Sequence, residues 1–248
     1  MSLPLFVAGA GALDGASPGT ALVLAGEEGR HAATVRRIRA GEAVDVADGA
    51  GRVARCRVEG AERDRLRLVV EDLRDVPART PRLVLVQALA KGGRDELAVE
   101  TATEFGVDEV VPWQAARSVV QWSADRGERG RRRWEATALA AAKQSRRATV
   151  PTVAPPVSTA DLAARAMAGE CLLVLHEEAA EPLSAVELPA GVDAVLLAVG
   201  PEGGIAPDEL DRLTAAGARA LRLGPEVLRA SSAGPAALAV LSARLGRW

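Results

Sequence analysis

Two patterns of apolar residues divide the chain. Residues 1 to about 76 alternate apolar and polar in short runs: Val44-Asp-Val-Ala47, Gly51-Arg-Val-Ala-Arg-Cys-Arg-Val58 and Arg65-Leu-Arg-Leu-Val-Val70. A period of two predicts half-buried strands, with Asp48-Gly49 and Glu59-Gly60 as the turns between them. His31 to Ile38 adds a helical turn. This half reads as a small β barrel or sandwich. Val76-Pro-Ala-Arg-Thr-Pro81 follows, and two prolines in six residues mark a linker. Beyond it the pattern changes. Leu83 to Leu89 predicts a buried strand. Asp95 to Phe105 predicts a helix with Ala98, Ala102 and Phe105 on one face, closed by Gly106. Val107 to Val111 predicts a strand ended by Pro112-Trp113. Strand and helix alternate from there onward, which predicts an α/β half with a largely parallel sheet.

Within that half, Ala194 to Val199 is an apolar run that stops at Gly200-Pro201. Gly203 and Gly204 follow, then Pro207, Asp208 and Glu209, which open a helix. A glycine-rich loop between strand and helix is where α/β proteins hold ligands, because no Cβ keeps the backbone from the ligand. The pattern recurs in Ala220-Leu-Arg-Leu-Gly-Pro225, which leads through Glu226 to Pro235 and a helix ending near Leu245. The two Gly-Pro loops lie 24 residues apart. Side by side they form one pocket; singly, each reads equally well as a plain turn. His176 follows the apolar run Cys171 to Leu175 at a strand's carboxyl end, either lining that pocket or in a structural or exposed position.

Charge adds a second candidate surface. The net charge of −2 advertises no nucleic-acid partner globally. Residues 117 to 147, however, hold nine Lys or Arg against three Asp or Glu. A helix from about Glu128 puts Arg133, Gln144 and Arg147 on one face and Trp134, Ala138 and Ala141 on an apolar neighbouring face. Arginine clusters of this size attract phosphates, although a solvated helix face carries the same residues. In the first half His31, Arg36, Arg37 and Arg39 cluster, and Arg55 and Arg57 share a strand face with Val53. Glu59, Glu62 and Asp64 nearby leave a salt-bridged surface as the equal alternative. Cys56 and Cys171 are too few and too far apart for a disulfide framework or zinc site, and with two histidines no metal site is expected. Met1-Ser-Leu-Pro-Leu-Phe-Val7 lacks a basic start and carries Pro4, so a signal peptide is not expected. With no membrane-length apolar run, the expected location is the cytoplasm.

In this order the pieces resemble one family. His31-Ala-Ala-Thr-Val-Arg-Arg-Ile-Arg-Ala-Gly-Glu42, Lys91-Gly-Gly-Arg-Asp-Glu96, Ala102-Thr-Glu-Phe-Gly-Val107, Arg117-Ser-Val-Val120, Arg133-Trp134, Lys143-Gln-Ser-Arg-Arg147, Gly200-Pro-Glu-Gly-Gly204 and Leu223-Gly-Pro225 with Val227-Leu-Arg229 run nearly end to end. The chain resembles the RsmE family of SPOUT methyltransferases, which methylate N3 of a uridine in 16S ribosomal RNA. The resemblance implies an α+β two-domain protein. Residues 1–76 would form a PUA-like RNA-binding β barrel, 77–82 a linker, and 83–248 an α/β SPOUT domain with a C-terminal trefoil knot. It implies S-adenosylmethionine as cofactor, a homodimer, and 16S rRNA within the small ribosomal subunit as partner, with no membrane. The cofactor residues it implies are Leu175, His176, Val199, Gly200, Pro201, Gly203, Gly204, Leu223, Gly224, Pro225, Val227 and Leu228. The RNA-binding residues are His31, Arg37, Lys91, Arg94, Arg117, Arg133, Gln144 and Arg147. Arg229 would stabilise charge on the uracil oxygens, and Glu202 would accept the N3 proton or tie its loop.

Three departures stand out. Glu226 sits where the family commonly has a basic residue, Thr101 where a lysine is frequent, and Ala230-Ser231-Ser232 where Thr-Glu-Thr is usual. No carboxylate role can be carried to the segment after Arg229. Two other classes stay open on the residues: an RNA-binding module without catalysis, and a nucleotide-binding α/β enzyme using Gly200 to Gly204. Lys91-Gly-Gly-Arg94 is not a P-loop, since no Gly-Lys-Ser/Thr occurs.

Overall fold

The computed structural model describes residues 3–248, apart from the Ala124 side chain. Met1 and Ser2 of the N-terminal stretch read above lie outside it. The chain forms two compact units. The first is residues up to Ala78 together with Ala142–Val150, and the second is Arg79–Ala141 with Pro151–Trp248.

The first unit contains β1 (Leu5–Val7), β2 (Ala21–Leu24), α1 (Gly26–Arg30) continued by a wider π-helical turn His31–Val35, β3 (Ala43–Ala47), β4 (Arg52–Glu62) and β5 (Arg65–Asp75). Its sheet runs β1-β3-β4-β5-β2. The pairs are antiparallel except β1 with β3. The hydrogen-bonded path starts at β1 and stops at β2, so the expected barrel is, among the described residues, a sheet that does not close. Alternation decides the core: Ala54, Cys56 and Val58 of β4 meet Leu66, Leu68 and Val70 of β5, with Phe6, Leu13 and Ile38 completing the cluster. Burial pushes the Cys56 thiol up to about 11.

One expectation fails locally here. Glu59-Gly60 is not a turn; β4 runs through it to Glu62. A register shift between Val58 and Gly60 leaves Glu59 as the extra residue and pairs Gly60 with Arg67, and a Cβ on Gly60 would meet the Arg67 guanidinium at 2.6 Å. Val53 alternates onto the arginine face yet is fully buried. Thr149 bridges Gly49 and Ala50, and Lys143 pairs with Glu28, which binds residues 142–150 to this unit.

The second unit contains β6 (Arg82–Ala88), α2 (Arg94–Glu104), β7 (Glu109–Gln114), α3 (Ala124–Gln144, whose last turn belongs to the first unit), β8 (Thr152–Val153), β9 (Val157–Ser158), α4 (Thr159–Met167), β10 (Cys171–Leu175), β11 (Ala194–Val199), α5 (Pro207–Ala215), β12 (Arg219–Leu221) and α6 (Ala230–Arg244). The sheet order is β12-β10-β11-β6-β7-β8, with β9 also on β7, and every pair is parallel. Both faces are covered, as uninterrupted apolar strands require. One face packs Leu85, Leu173 and Leu197 against Val99, Trp134 and Leu238; the other packs Val86, Leu172 and Leu196 against Leu162 and Leu213.

Pro112-Trp113 does not end β7. Proline removes one donor, but the Trp113 carbonyl still accepts the Leu89 N–H at 3.0 Å and the strand continues to Gln114. Helix α3 begins before Glu128. Its glycines are poor helix formers, but Gly130 lets Trp122 lie on the helix, since a Cβ there would sit 2.4 Å from the indole. Trp122 meets Trp134 edge-on at 5.4 Å. Arg147 does not extend the α3 face: the helix stops at Gln144, and Arg146 at φ 56° turns the chain out of it.

Candidate functional site

Strands β12, β10 and β11 are neighbours, and their parallel register brings Leu221, Leu175 and Val199 to one edge of the sheet. The loops that leave this edge enclose a cavity of about 390 Å³. That volume lies within the range of small-molecule sites. The carboxyl edge of a parallel sheet holds ligands because strand-end loops converge there while the opposite edge is closed by returning chain.

Of the residues predicted for the cofactor, Leu175, His176, Val199, Gly200, Pro201, Gly204, Leu223, Gly224, Val227 and Leu228 line the cavity. Glu202 and Arg229 line it as well. Gly203 and Pro225 do not. The nearest atoms to a Cβ on Gly203 would belong to Arg117, so it faces that side chain. Sequence reading missed Glu177, Ile205, Arg222, Glu226, Ala230 and Ala233, which also form the wall. Arg222 follows directly on the end of β12 and Glu177 lies two residues past the end of β10, a signal that was available. Ala230 and Ala233 share the first turn of α6, and only the packing of that helix reveals their face.

The glycine-rich loop is shaped by what its glycines omit. A Cβ on Gly200 would stand 2.7 Å from Ile205 Cγ1, so the loop closes on itself only because position 200 has none. Gly204 adopts φ +72°, a left-handed conformation that suits glycine. Glu202 projects from the loop to the start of α2. Its Oε1 accepts the Arg94 Nη1–H at 2.9 Å and the Lys91 backbone N–H at 3.3 Å. Desolvation pushes the Glu202 carboxyl up, but its own backbone N–H, Arg94 and the Lys91 N–H outweigh it and hold the group below the usual glutamate value. From within α2, buried Asp95 accepts the Ala90 N–H at 3.4 Å and anchors the segment that carries Lys91. Burial raises the Asp95 pKa despite this bond and that from Glu96 N–H.

Arg229 stands at the start of α6, at φ −65° and ψ 150°, so its backbone is still extended as the helix begins. Its exposed side chain reaches the cavity wall without a carboxylate at ion-pair distance among the described residues. His176 accepts the Glu178 N–H on Nδ1 at 3.2 Å, which orients its ring beside β10.

The residues predicted for RNA are distributed over the two units. In the first, His31 is exposed and lies 6.3 Å edge-on from Phe6. Arg37 is exposed at φ 56°, uncommon for a non-glycine residue. Gln144 ends α3, and Arg147 donates to Thr149 Oγ1 at 3.2 Å. The strand arginines are ion-paired, Arg57 with Glu71 at 2.5 Å and Arg55 with Asp45 at 3.8 Å, so that face is a salt-bridged surface. In the second unit Lys91 and Arg94 border the Glu202 loop. Arg117 donates from Nη1 to the Gly203 carbonyl at 3.0 Å, and Arg133 on α3 pairs with Glu96 at 2.8 Å.

Fold and cavity together define an α/β protein that takes a small ligand at the carboxyl ends of adjacent parallel strands. Comparison with known proteins supplies the family. A family described as "RNA methyltransferase domain" matches residues 78–242, and one described as "RNA methyltransferase PUA domain" matches residues 24–71. The chain is 50% identical over 235 residues to the ribosomal RNA small subunit methyltransferase E of Mycobacterium bovis, covering 93% of this chain and 89% of the relative. It is 32% identical to that of Bacillus subtilis, covering 88% of each. A crystal structure of the Neisseria gonorrhoeae methyltransferase E bound to S-adenosyl methionine superposes with a TM-score of 0.86 at 26% identity, over 98% of both chains. The chain belongs to the ribosomal RNA small subunit methyltransferase E family of RNA methyltransferases.

Proposed function

We propose that this protein transfers a methyl group from S-adenosylmethionine to N3 of a specific uridine in 16S ribosomal RNA. The observation that carries the reading is the cavity at the ends of β12, β10 and β11, which Arg229 borders. The cavity suits the cofactor. Its glycine loop offers backbone groups to an adenosine, and Leu175, Val199, Leu223, Val227 and Leu228 offer apolar surface to a base or methionine chain. Bound there, S-adenosylmethionine supplies an electrophilic methyl group on a sulfonium.

The protein's own residues do the rest. Uracil N3 must lose its proton, which passes to solvent, and the charge that develops spreads to the flanking carbonyl oxygens. The Arg229 guanidinium has N–H groups and no acceptor, so it acts as a donor to those oxygens and strengthens its hold as charge develops. The Glu202 carboxylate, engaged by Arg94 and Lys91 and held below its usual pKa, is a weak proton acceptor. Its role in this reading is to tie the glycine-rich loop to α2.

The finer architecture belongs to the same reading. Residues 1–76 form a PUA-like RNA-binding domain, 77–82 a linker and 83–248 the methyltransferase domain, a division supported by the change of hydrophobic period and by the two family matches. A trefoil knot is supported by the path of the chain: after β11 it adds β12 on the far side of β10, then returns as α6 to pack on α2 and β6. A homodimer through this unit belongs to the same reading. The small ribosomal subunit is the substrate in this reading and the cytoplasm its place; no described helix is long and apolar enough to cross a membrane. Nucleoside mass spectrometry of 16S rRNA tests the activity. RNA from cells lacking the gene should lose one 3-methyluridine and regain it on complementation. An unchanged 3-methyluridine content refutes the proposal.

A further inference from the structure

Arg117 is the group on the outer side of the glycine-rich loop. Its Nη1 donates to the Gly203 carbonyl at 3.0 Å, and the nearest atoms to a Cβ on Gly203 would be those of Arg117, at 3.5 Å and beyond. What holds Arg117 there is buried. Glu209, 6% exposed, accepts the N–H of its neighbour Ala116 at 3.0 Å on Oε1 and the N–H of Ala206 at 3.4 Å on Oε2. The Thr159 hydroxyl also donates to Glu209 Oε1, and Thr159 Oγ1 in turn accepts from Trp113 Nε1 at 3.1 Å. A single carboxylate therefore fixes both the end of the loop, at Ala206, and the segment from which Arg117 reaches its middle. A buried carboxylate with satisfied acceptors makes a stiff junction, because leaving any of these donors unpaired is costly.

We infer that Arg117 is a positioning residue for the cofactor: with Glu209 it clamps the Gly200–Gly204 loop in the shape that receives S-adenosylmethionine. The inference rests on the reading of the cavity as the cofactor site. It separates Arg117 from Arg37, Arg133 and Arg147, whose effect in the proposed reading runs through RNA. The guanidinium grips the outer face of the loop, while Glu202 and Arg94 hold it from the α2 side, so the cavity wall is held from two directions.

Calorimetric titration with S-adenosylmethionine in the absence of RNA tests this. Arg117 is exposed, so Arg117→Ala should fold with an unchanged melting temperature, measured alongside. Cofactor affinity should fall about fivefold or more, about 1 kcal/mol. Arg117→Lys, which retains a donor for the Gly203 carbonyl, should recover most of the loss. A residue that contacts only RNA leaves this titration unmoved, and a general loss of folding would lower the melting temperature instead. Wild-type protein that binds the cofactor while Arg117→Ala binds it equally well overturns the inference alone. Wild-type protein that does not bind it overturns the reading of the cavity as well.

Discussion

Replacing Gly200 by alanine tests how tightly the cofactor loop is specified. The added Cβ would lie 2.7 Å from Ile205 Cγ1, 3.4 Å from the Ile205 amide nitrogen and 3.5 Å from the Gly204 carbonyl carbon. The last two are tolerable; the first is not. Ile205 is 5% exposed and packed among Ala198, Leu213 and Leu172, so it cannot swing into solvent to make room. Either the loop shifts by several tenths of an ångström or Ile205 leaves its rotamer, and overpacking of this kind costs about 1–3 kcal/mol. Because the strained atoms belong to the cavity wall, the strain should appear in binding as well as in stability. Gly200→Ala should melt several degrees lower, at about 2–4 °C per kcal/mol. It should also bind S-adenosylmethionine about tenfold more weakly, which is ~1.4 kcal/mol. A double-mutant cycle with Ile205→Ala isolates the cause. Removing Cγ1 should relieve the clash, so the two stability losses should sum to more than the loss in the double variant, with a coupling of about 1 kcal/mol. Strict additivity, or a Gly200→Ala protein with wild-type melting and binding, refutes the steric account.

Two further outcomes follow from the same geometry. Arg229→Ala should lower kcat about 10²-fold, the scale of a lost donor to a developing oxyanion, with little change in cofactor affinity; single-turnover methylation at the wild-type rate would refute it. Glu202, with its pKa lowered, contributes loop stability that is complete above the ordinary glutamate value and lost as pH falls through the lower, folded value. The pH–rate profile should therefore show no ionisation of Glu202 above about pH 4.3, and a limb between pH 6 and 8 that disappears in Glu202→Gln would restore it as the proton acceptor.

The sequence determined which stretches are buried strands and where loops need glycine. Ala194–Val199 and Cys171–Leu175 are apolar without interruption, so their strand character is local and legible. Gly200-Pro201 and Gly224-Pro225 mark the cavity loops because special backbone and missing side chains are encoded residue by residue. Sequence alone also reached the family, through short motifs whose order spans most of the chain. Tertiary structure decided what those local rules leave open. Glu59-Gly60 reads as a turn, yet pairing with β5 continues the strand, because ladder hydrogen bonds and the Arg67 side chain beside Gly60 outweigh the local preference. Trp113 stays in β7 for the same reason, its indole held by Thr159. Arg117 and Gly203 are 86 residues apart, and no periodicity or spacing relates two such positions. Their contact exists because β7 and β11 flank β6 in one parallel sheet, so the segments beyond their carboxyl ends emerge on the same edge.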